Sequence, residues 1–226
     1  YDYTVLAGTQ GTKNHEKKDR MFEVAQRRQL PLVFFCEGGG GRPCDVDTIT
    51  AGSLHITTFH QFAQLSGSVP MVGITSGYCF AGNAVLLGCC DVIIATENSN
   101  IGMGGPAMIE GGGLGVFRPE EVGPMSEQVL NGVVDIAVKD EAEAVEIAKK
   151  YLSYFQGLIL DWTCADQRWL RRAVPENRLR VYDVREVIDT LADTGSVLEI
   201  RKGFAAGVIT SFARVEGRPV GIIANN

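Results

Sequence analysis

Two glycine-rich segments carry the chemistry this sequence can offer, and each follows directly on a short apolar run. Glu37-Gly38-Gly39-Gly40-Gly41-Arg42-Pro43 comes after Leu32–Cys36, while Ser76-Gly77-Tyr78-Cys79-Phe80-Ala81-Gly82-Asn83-Ala84 comes after Val69–Thr75 and leads into a helical stretch. Glycine in such turns accepts φ > 0 and lets another group approach the main chain, so amide N–H groups can point into a cavity. The start of a helix adds partial positive charge to those donors. Two such turns at neighbouring strand ends can converge on one carbonyl oxygen as an oxyanion hole, where losing one donor costs about 2.7–4 kcal/mol of transition-state stabilisation. A site of this kind asks for no titratable side chain. The competing reading is that the glycines serve only tight strand-to-helix turns. Neither segment is a Walker loop, since no Gly-Lys-Ser/Thr follows, and neither has the GxGxxG spacing of a dinucleotide site. Two later stretches, Ile101–Pro106 and Glu110–Gly115, extend the glycine richness and read as loops lining the same cleft.

These turns need a scaffold, and the alternation of short β-type runs with amphipathic stretches is that of an α/β chain. Strands are expected at Tyr3–Ala7, Leu32–Cys36, Val69–Thr75, Val92–Thr96 and Val133–Val138, each rich in Val, Ile, Phe or Thr and bounded by Gly, Pro or Asp. A helix is expected over Glu16–Arg28, with Met21, Val24 and Ala25 on its apolar face. Others are expected at Ser53–Leu65, Ala81–Cys90 and Glu141–Phe155, the last with an acidic first turn. After Phe155 the texture changes to a Trp- and Arg-rich stretch that reads as a linker, with Trp162, Trp169 and Leu170 as the apolar face of a linker helix lying between subunits. A helix at Val184–Leu191 and strands at Val197–Ile200, Gly207–Val215 and Val220–Ala224 follow, the last two joined by Glu216-Gly217-Arg218-Pro219. Both ends of the chain fall abruptly on strand-like runs, from which a fragment is expected.

Composition excludes several classes. Of the 226 residues, 45% are hydrophobic and 21% charged, which rules out a disordered chain. The net charge is −6 and the basic residues are scattered, so nucleic acid is not an expected partner. No apolar run approaches the roughly twenty residues that span a bilayer, and Tyr1–Thr4 does not open a signal peptide, so a cytoplasmic protein without membrane contact is expected. Cysteines 36, 44, 79, 89, 90 and 164 form no CxxC pair and no zinc-ligand spacing, and most of them are read as reduced core residues, with no metal. His55 and His60 are read as partly buried helix residues beside Ile56, Phe59 and Phe62, and His15 as a structural residue at a helix start capped by Asn14.

The stretch 77–84, followed by Cys90-Asp91-Val92-Ile93-Ile94-Ala95-Thr96, is similar to the oxyanion-hole strand, helix and next strand of the crotonase superfamily. Within that superfamily the chain resembles a β-type carboxyltransferase subunit of a biotin-dependent acyl-CoA carboxylase. The resemblance rests further on Ala7-Gly8-Thr9-Gln10-Gly11, Asn14-His15, Lys18-Asp19-Arg20, 37–42 and 102–106, and later on Pro175-Glu176-Asn177-Arg178, Tyr182-Asp183, Glu199-Ile200 and Gly217-Arg218-Pro219-Val220-Gly221. It implies a crotonase-like spiral of ββα units. Residues 1–157 would be a near-complete N-terminal half holding acyl-CoA, 158–182 a linker, and 183–226 the beginning of a second half.

The resemblance also implies carboxyl transfer from carboxybiotin to the α-carbon of an acyl-CoA of acetyl or propionyl type. Biotin would sit on a separate carrier protein or subunit beside a biotin carboxylase, with active sites at the dimer interface of a homo-oligomer. Mapped onto it, Gly82 is the helix-start donor with Ala81 beside it, and Gly40 or Gly41 the donor of the other turn, the register open by one. Phe80, Asn83, Gly104 and Gly105 fall on the substrate side, and Arg42 either meets a CoA phosphate or anchors its loop. Val85 stands where enoyl-CoA hydratases carry a catalytic glutamate, which disfavours hydratase chemistry. A CoA-ester decarboxylase on the same scaffold and a non-catalytic assembly subunit are the alternatives. The 226 residues alone are expected to be inactive.

Overall fold

Parallel strands joined by helices need both sheet faces covered, and the central strands of this chain are apolar throughout. The computed structural model describes residues 1–42, 56–177 and 179–226. It divides into two compact units, Tyr1–Val145 and Glu146–Asn226.

The first unit runs through α1 (Thr12–Arg28), β1 (Leu32–Phe35), α2 (Thr58–Gln64), β2 (Met71–Thr75), β3 (Tyr78–Phe80), α3 (Gly82–Gly88), β4 (Val92–Thr96), β5 (Asn100–Gly102), α4 (Pro106–Gly111), α5 (Met125–Gln128), β6 (Ile136–Val138) and the opening of α6 (Glu141–Ser153). A parallel sheet has the order β1-β2-β4-β6, with Leu32 opposite Met71, Val72 opposite Val92 and Ile94 opposite Ile136. Every residue of β2 and β4 is buried, whereas β1, at the sheet edge, exposes Val33 and Phe35. A second, two-stranded parallel layer pairs β3 with β5. The order β2-β3-α3 followed by β4-β5-α4 is the repeated ββα spiral expected from the sequence.

Strands β3 and β5 were hidden in segments read as continuous glycine turns. Each has only three residues and follows its predecessor after a short bend, so neither leaves a period-two pattern long enough to read. The expected strand Tyr3–Ala7 does not form. Leu6 and Ala7 have φ of 51° and 54°, and residues 6–8 make a short 3-10 turn. Residues 2–7 are exposed, so no buried face rewards an extended conformation. Helix α1 begins four residues earlier than expected. Asn14 therefore sits inside it, its Oδ1 accepting from the Gly11 N–H at 2.9 Å. The buried face of α1 is His15, Phe22 and Ala25, and Met21 is 53% exposed. Phe22 packs on Phe62 and Phe34 with ring centroids 4.7 and 6.2 Å away, around which Leu65, Val69, Met71 and Leu86 close one core cluster. Residues 53–55 of the second expected helix, with His55 and Cys44, lie outside the described residues, and His60 is exposed rather than partly buried.

The second unit continues α6 and adds α7 (Leu170–Ala173), α8 (Val184–Leu191) and an antiparallel sheet of β7 (Leu198–Ile200), β8 (Val208–Val215) and β9 (Arg218–Asn225). The β8–β9 connection is the two-residue turn Glu216-Gly217, with φ of 51° and 74°, the left-handed pair that a tight hairpin requires. Gly217 has a second reason to lack a side chain, since a Cβ there would lie 1.8 Å from the Ile159 carbonyl oxygen. The Asp193 carboxylate accepts from the Glu216 and Gly217 N–H groups at 3.0 and 2.7 Å. Beneath the hairpin Arg214 is buried, donating to the carbonyls of Gly157 (2.8 Å), Gly217 (2.6 Å) and Ser153 (2.6 Å) with its guanidinium 5.6 Å from the Tyr154 ring centroid. Trp162 and Trp169 do not share a helix face: Trp162 lies outside any helix, and Trp169 ends a 3-10 turn before α7. Replacing Arg214 by Met removes three hydrogen bonds to carbonyls of the hairpin and the 153–157 segment and strands the Gly157 carbonyl. Urea denaturation should show a loss of about 3 kcal/mol or more, against a wild-type-like Arg218→Met control.

Candidate active site

The turn after β1 and the start of α3 meet in the first unit, and the main-chain bonds there can be followed residue by residue. Gly38 continues the second layer beside β3, donating to the Tyr78 carbonyl and accepting from the Phe80 N–H, both at 2.8 Å. Gly39 donates to the Ala7 carbonyl at 2.9 Å. Gly40 accepts from the Gln10 N–H at 2.8 Å and donates to Asn83 Oδ1 at 3.1 Å, and Arg42 donates to the Gln10 carbonyl at 2.9 Å. Among the described residues the Gly41 amide makes no hydrogen bond, and a Cβ built on Gly41 meets nothing within 4 Å.

On the facing side, Ala81 has φ 52° and ψ −125°, a strained conformation for a residue with a side chain, and its N–H is spent on the Gly102 carbonyl at 3.0 Å. Helix α3 begins at the next residue, and the Gly82 N–H has no partner among the described residues. Gly40, at φ 88°, lies against this corner so closely that a Cβ on it would stand 2.6 Å from the Ala81 Cβ and 3.1 Å from the Gly82 nitrogen. Of the four nominated backbone donors, Gly40 and Ala81 are therefore committed within the protein, and Gly41 and Gly82 are not.

Asn83 corrects an expectation. Its side chain is fully buried and uses all four hydrogen-bonding positions internally, so it has nothing left for a substrate. Oδ1 accepts from Gln10 Nε2 (2.6 Å) and the Gly40 N–H, while Nδ2 donates to the carbonyls of Cys36 (3.1 Å) and Glu37 (3.0 Å). Phe80 is also buried, stacked on Tyr78 at 5.8 Å and packed under Gly105, so its ring is a floor rather than a contact surface. Gly104 and Gly105 stand beyond that ring at the start of α4. Arg42 donates from Nε to Thr9 Oγ1 at 3.2 Å and from Nη2 to the Thr9 carbonyl at 3.0 Å, which makes it an anchor of its own loop. Val85, half-buried on α3, offers no carboxylate.

Beside this corner lies a polar cluster to which the sequence reading gave no site role. Thr58 Oγ1 donates to Asp19 Oδ1, so the 2.9 Å contact between His15 Nδ1 and Thr58 Oγ1 must be a donation from the histidine. Burial, assisted by Lys18, lowers the His15 pKa to about 4 against the opposing pull of Asp19. Burial likewise lowers Lys18 to about 8, and its Nζ donates to Gln10 Oε1. Gln10, buried here, lies in the Ala7–Gly11 stretch that carried the resemblance without a contact being assigned to it.

A spiral of ββα units, with a four-stranded parallel sheet and a second two-stranded parallel layer, defines a crotonase-like protein. The carboxyl transferase domain model matches residues 1–226, and the chain belongs to that family. Among curated relatives it is 31% identical to the methylmalonyl-CoA carboxyltransferase 12S subunit of Propionibacterium freudenreichii subsp. shermanii, over 99% of this chain and 44% of the relative. It is 28% identical to the propionyl-CoA carboxylase beta chain of Rhodococcus erythropolis, over 100% of this chain and 48% of the relative. A solved single-chain, multi-domain long-chain acyl-CoA carboxylase superimposes with TM-score 0.95 and 57% identity, covering 100% of this chain and 22% of that one. The chain thus spans less than half the length of these relatives.

Replacing Asn83 by Leu leaves the Gln10 amide, the Gly40 N–H and the Glu37 carbonyl unpaired, and should cost about 3 kcal/mol or more in urea denaturation. Acid is expected to act through His15. Its folded pKa of about 4 lies below the ordinary value of 6.5, so between those pH values the unfolded chain binds a proton that the folded one refuses. Stability should fall as pH drops from 6.5 towards 4, and His15→Gln should flatten that part of the melting-temperature profile.

Proposed function

We propose that this chain supplies the acyl-CoA side of a carboxyltransferase, with the N–H groups of Gly41 and Gly82 as its two oxyanion donors. The single observation that supports the reading is that these two amides are uncommitted where the 37–41 turn lies against the start of α3, while their neighbours Gly40 and Ala81 are tied into the protein. The thioester oxygen of an acyl-CoA gains negative charge when its α-carbon becomes a nucleophile, and fixed amides favour that charged form over the neutral ground state. Gly82, at a helix start, adds the positive end of the peptide dipoles to the thioester side. Substrates are acyl-CoAs of acetyl or propionyl type.

Biotin on a separate carrier protein or subunit supplies the carboxyl group. This chain's part is to hold the acyl-CoA and stabilise its enolate. The donor set suits that role, being neutral, unable to titrate and unable to deliver a proton to the carbanion. Residues 1–157 form the acyl-CoA side, and a second half and a second copy complete the site at a dimer interface beside a biotin carboxylase. Five unpaired cysteines among the described residues favour a reducing compartment, the cytoplasm.

The full-length protein, incubated with biotin and malonyl-CoA or methylmalonyl-CoA, should release acetyl-CoA or propionyl-CoA and form carboxybiotin. Decarboxylation that survives removal of all biotin by avidin would instead assign a CoA-ester decarboxylase, and calorimetry showing no acyl-CoA bound would assign an assembly role. Gly41→Pro, which deletes the N–H, should lower kcat about 10²–10³-fold, whereas Gly41→Ala, whose added Cβ meets nothing within 4 Å among the described residues, should retain activity.

A further inference from the structure

Gln10 holds the donor turn from both its main chain and its side chain. Its N–H donates to the Gly40 carbonyl and its carbonyl accepts from the Arg42 N–H, so the peptide units on either side of Gly41 are fixed by one residue. Its side-chain Nε2 donates to Asn83 Oδ1, which in turn accepts the Gly40 N–H. A carboxamide can be turned end for end at little steric cost, and what prevents this for Gln10 is the Lys18 ammonium, which can only donate and therefore demands Oε1. With Oε1 so engaged, Nε2 faces Asn83 Oδ1, and Asn83 is turned in the matching sense by the Gly40 N–H on Oδ1 and the Cys36 and Glu37 carbonyls on Nδ2. Lys18 thus fixes the sense of the Gln10 carboxamide, and Gln10 ties the glycine turn to Asn83.

Lys18 is built into this place. It lies over the Tyr1 ring at 5.2 Å, with His15 and Asp19 beside it on α1 and Cys36 facing it from the end of β1. None of these groups carries a positive charge at neutral pH that could replace it, since His15 is held neutral.

We infer that Lys18 and Gln10 are positioning residues for carboxyl transfer, a relay in which Lys18 holds the Gln10 carboxamide and Gln10 holds the glycine turn around Gly41 against Asn83 and the start of α3. The inference rests on the proposed function and names the residues that set that site. Neither residue touches substrate, so their effect falls on kcat through donor placement rather than on the affinity for acyl-CoA.

The test compares full-length wild type with Lys18→Met, Lys18→Arg, Gln10→Leu and the Gln10→Leu/Lys18→Met double variant, assayed well below their melting temperatures. Lys18→Met and Gln10→Leu should each lower kcat about 10²-fold, the size of effect that a misplacement of about 1 Å produces, with KM for acyl-CoA unchanged. The double variant should be no slower than Gln10→Leu, because the lysine acts only through the glutamine. Lys18→Arg keeps a cationic donor and should recover most of the rate. Wild-type kcat should decline above pH 8, where Lys18 loses its charge, and Lys18→Arg should move that decline upward. Wild-type kcat in Lys18→Met, or losses that multiply in the double variant, would overturn the relay. If the wild type transfers no carboxyl group, the functional reading fails by itself and the relay is judged on crystal structures. A displaced Gln10 side chain in Lys18→Met and a shifted 37–41 turn in both variants then support it, and an unchanged turn refutes it.

Discussion

One buried carboxamide organises the glycine corner of the first unit. Asn83 sits in the first turn of α3 and reaches back to the end of β1, so a residue on one element fixes the main chain of another more than forty positions away. Burying a carboxamide is costly unless every donor and acceptor finds a partner, and here all four do. A network satisfied to that degree tolerates few alternative arrangements, because moving the turn by a fraction of an ångström strands several polar groups at once. The absence of a side chain at Gly40, the strain at Ala81 and the burial of Gln10 all follow from the turn being drawn against the helix start.

On the proposed function, that arrangement is a site that needs no ionisable catalyst. Backbone amides have no protonation state to lose, and their direction is set by the fold rather than by rotamer choice. They are useful only if rigid, and rigidity comes from underneath. The two fully buried strands β2 and β4 carry the bends from which β3 and β5 rise, and the apolar clusters around Phe62 and Leu87 hold α3 against them. Committing Gly40 and Ala81 internally narrows the open donors to one on each side, a sharper solution than four glycines in a row suggest.

The second unit solves a different problem. Its antiparallel hairpin gains its shape from a left-handed two-residue turn, and the buried side chains of Arg214 and Asp193 satisfy the carbonyls and amides that the turn leaves behind. An arginine suits this place because its planar fork donates to several carbonyls at once while its face lies against Tyr154.

Sequence pattern alone determined what depends on local chemistry. Strand β4 and helix α8 fall on the expected residues, β2 and α6 lie within theirs, and the hairpin at Glu216-Gly217 was marked by turn chemistry; in each, apolar periodicity or capping acts over a few neighbouring residues. The glycine corner was legible as a place, because glycine is rare at such density without a backbone reason. Which amide remains free was not legible, since four consecutive glycines are chemically identical until Asn83 and Gln10 arrive from distant parts of the chain and claim one of them. The same holds for residues 3–7, whose β-type composition found no sheet face to join, for Met21, left exposed while Phe22 took the core, and for Lys18, which the fold encloses beside Gln10. Tertiary structure decided these points because burial and hydrogen-bond completion are properties of the enclosed space, and several distant segments share that space.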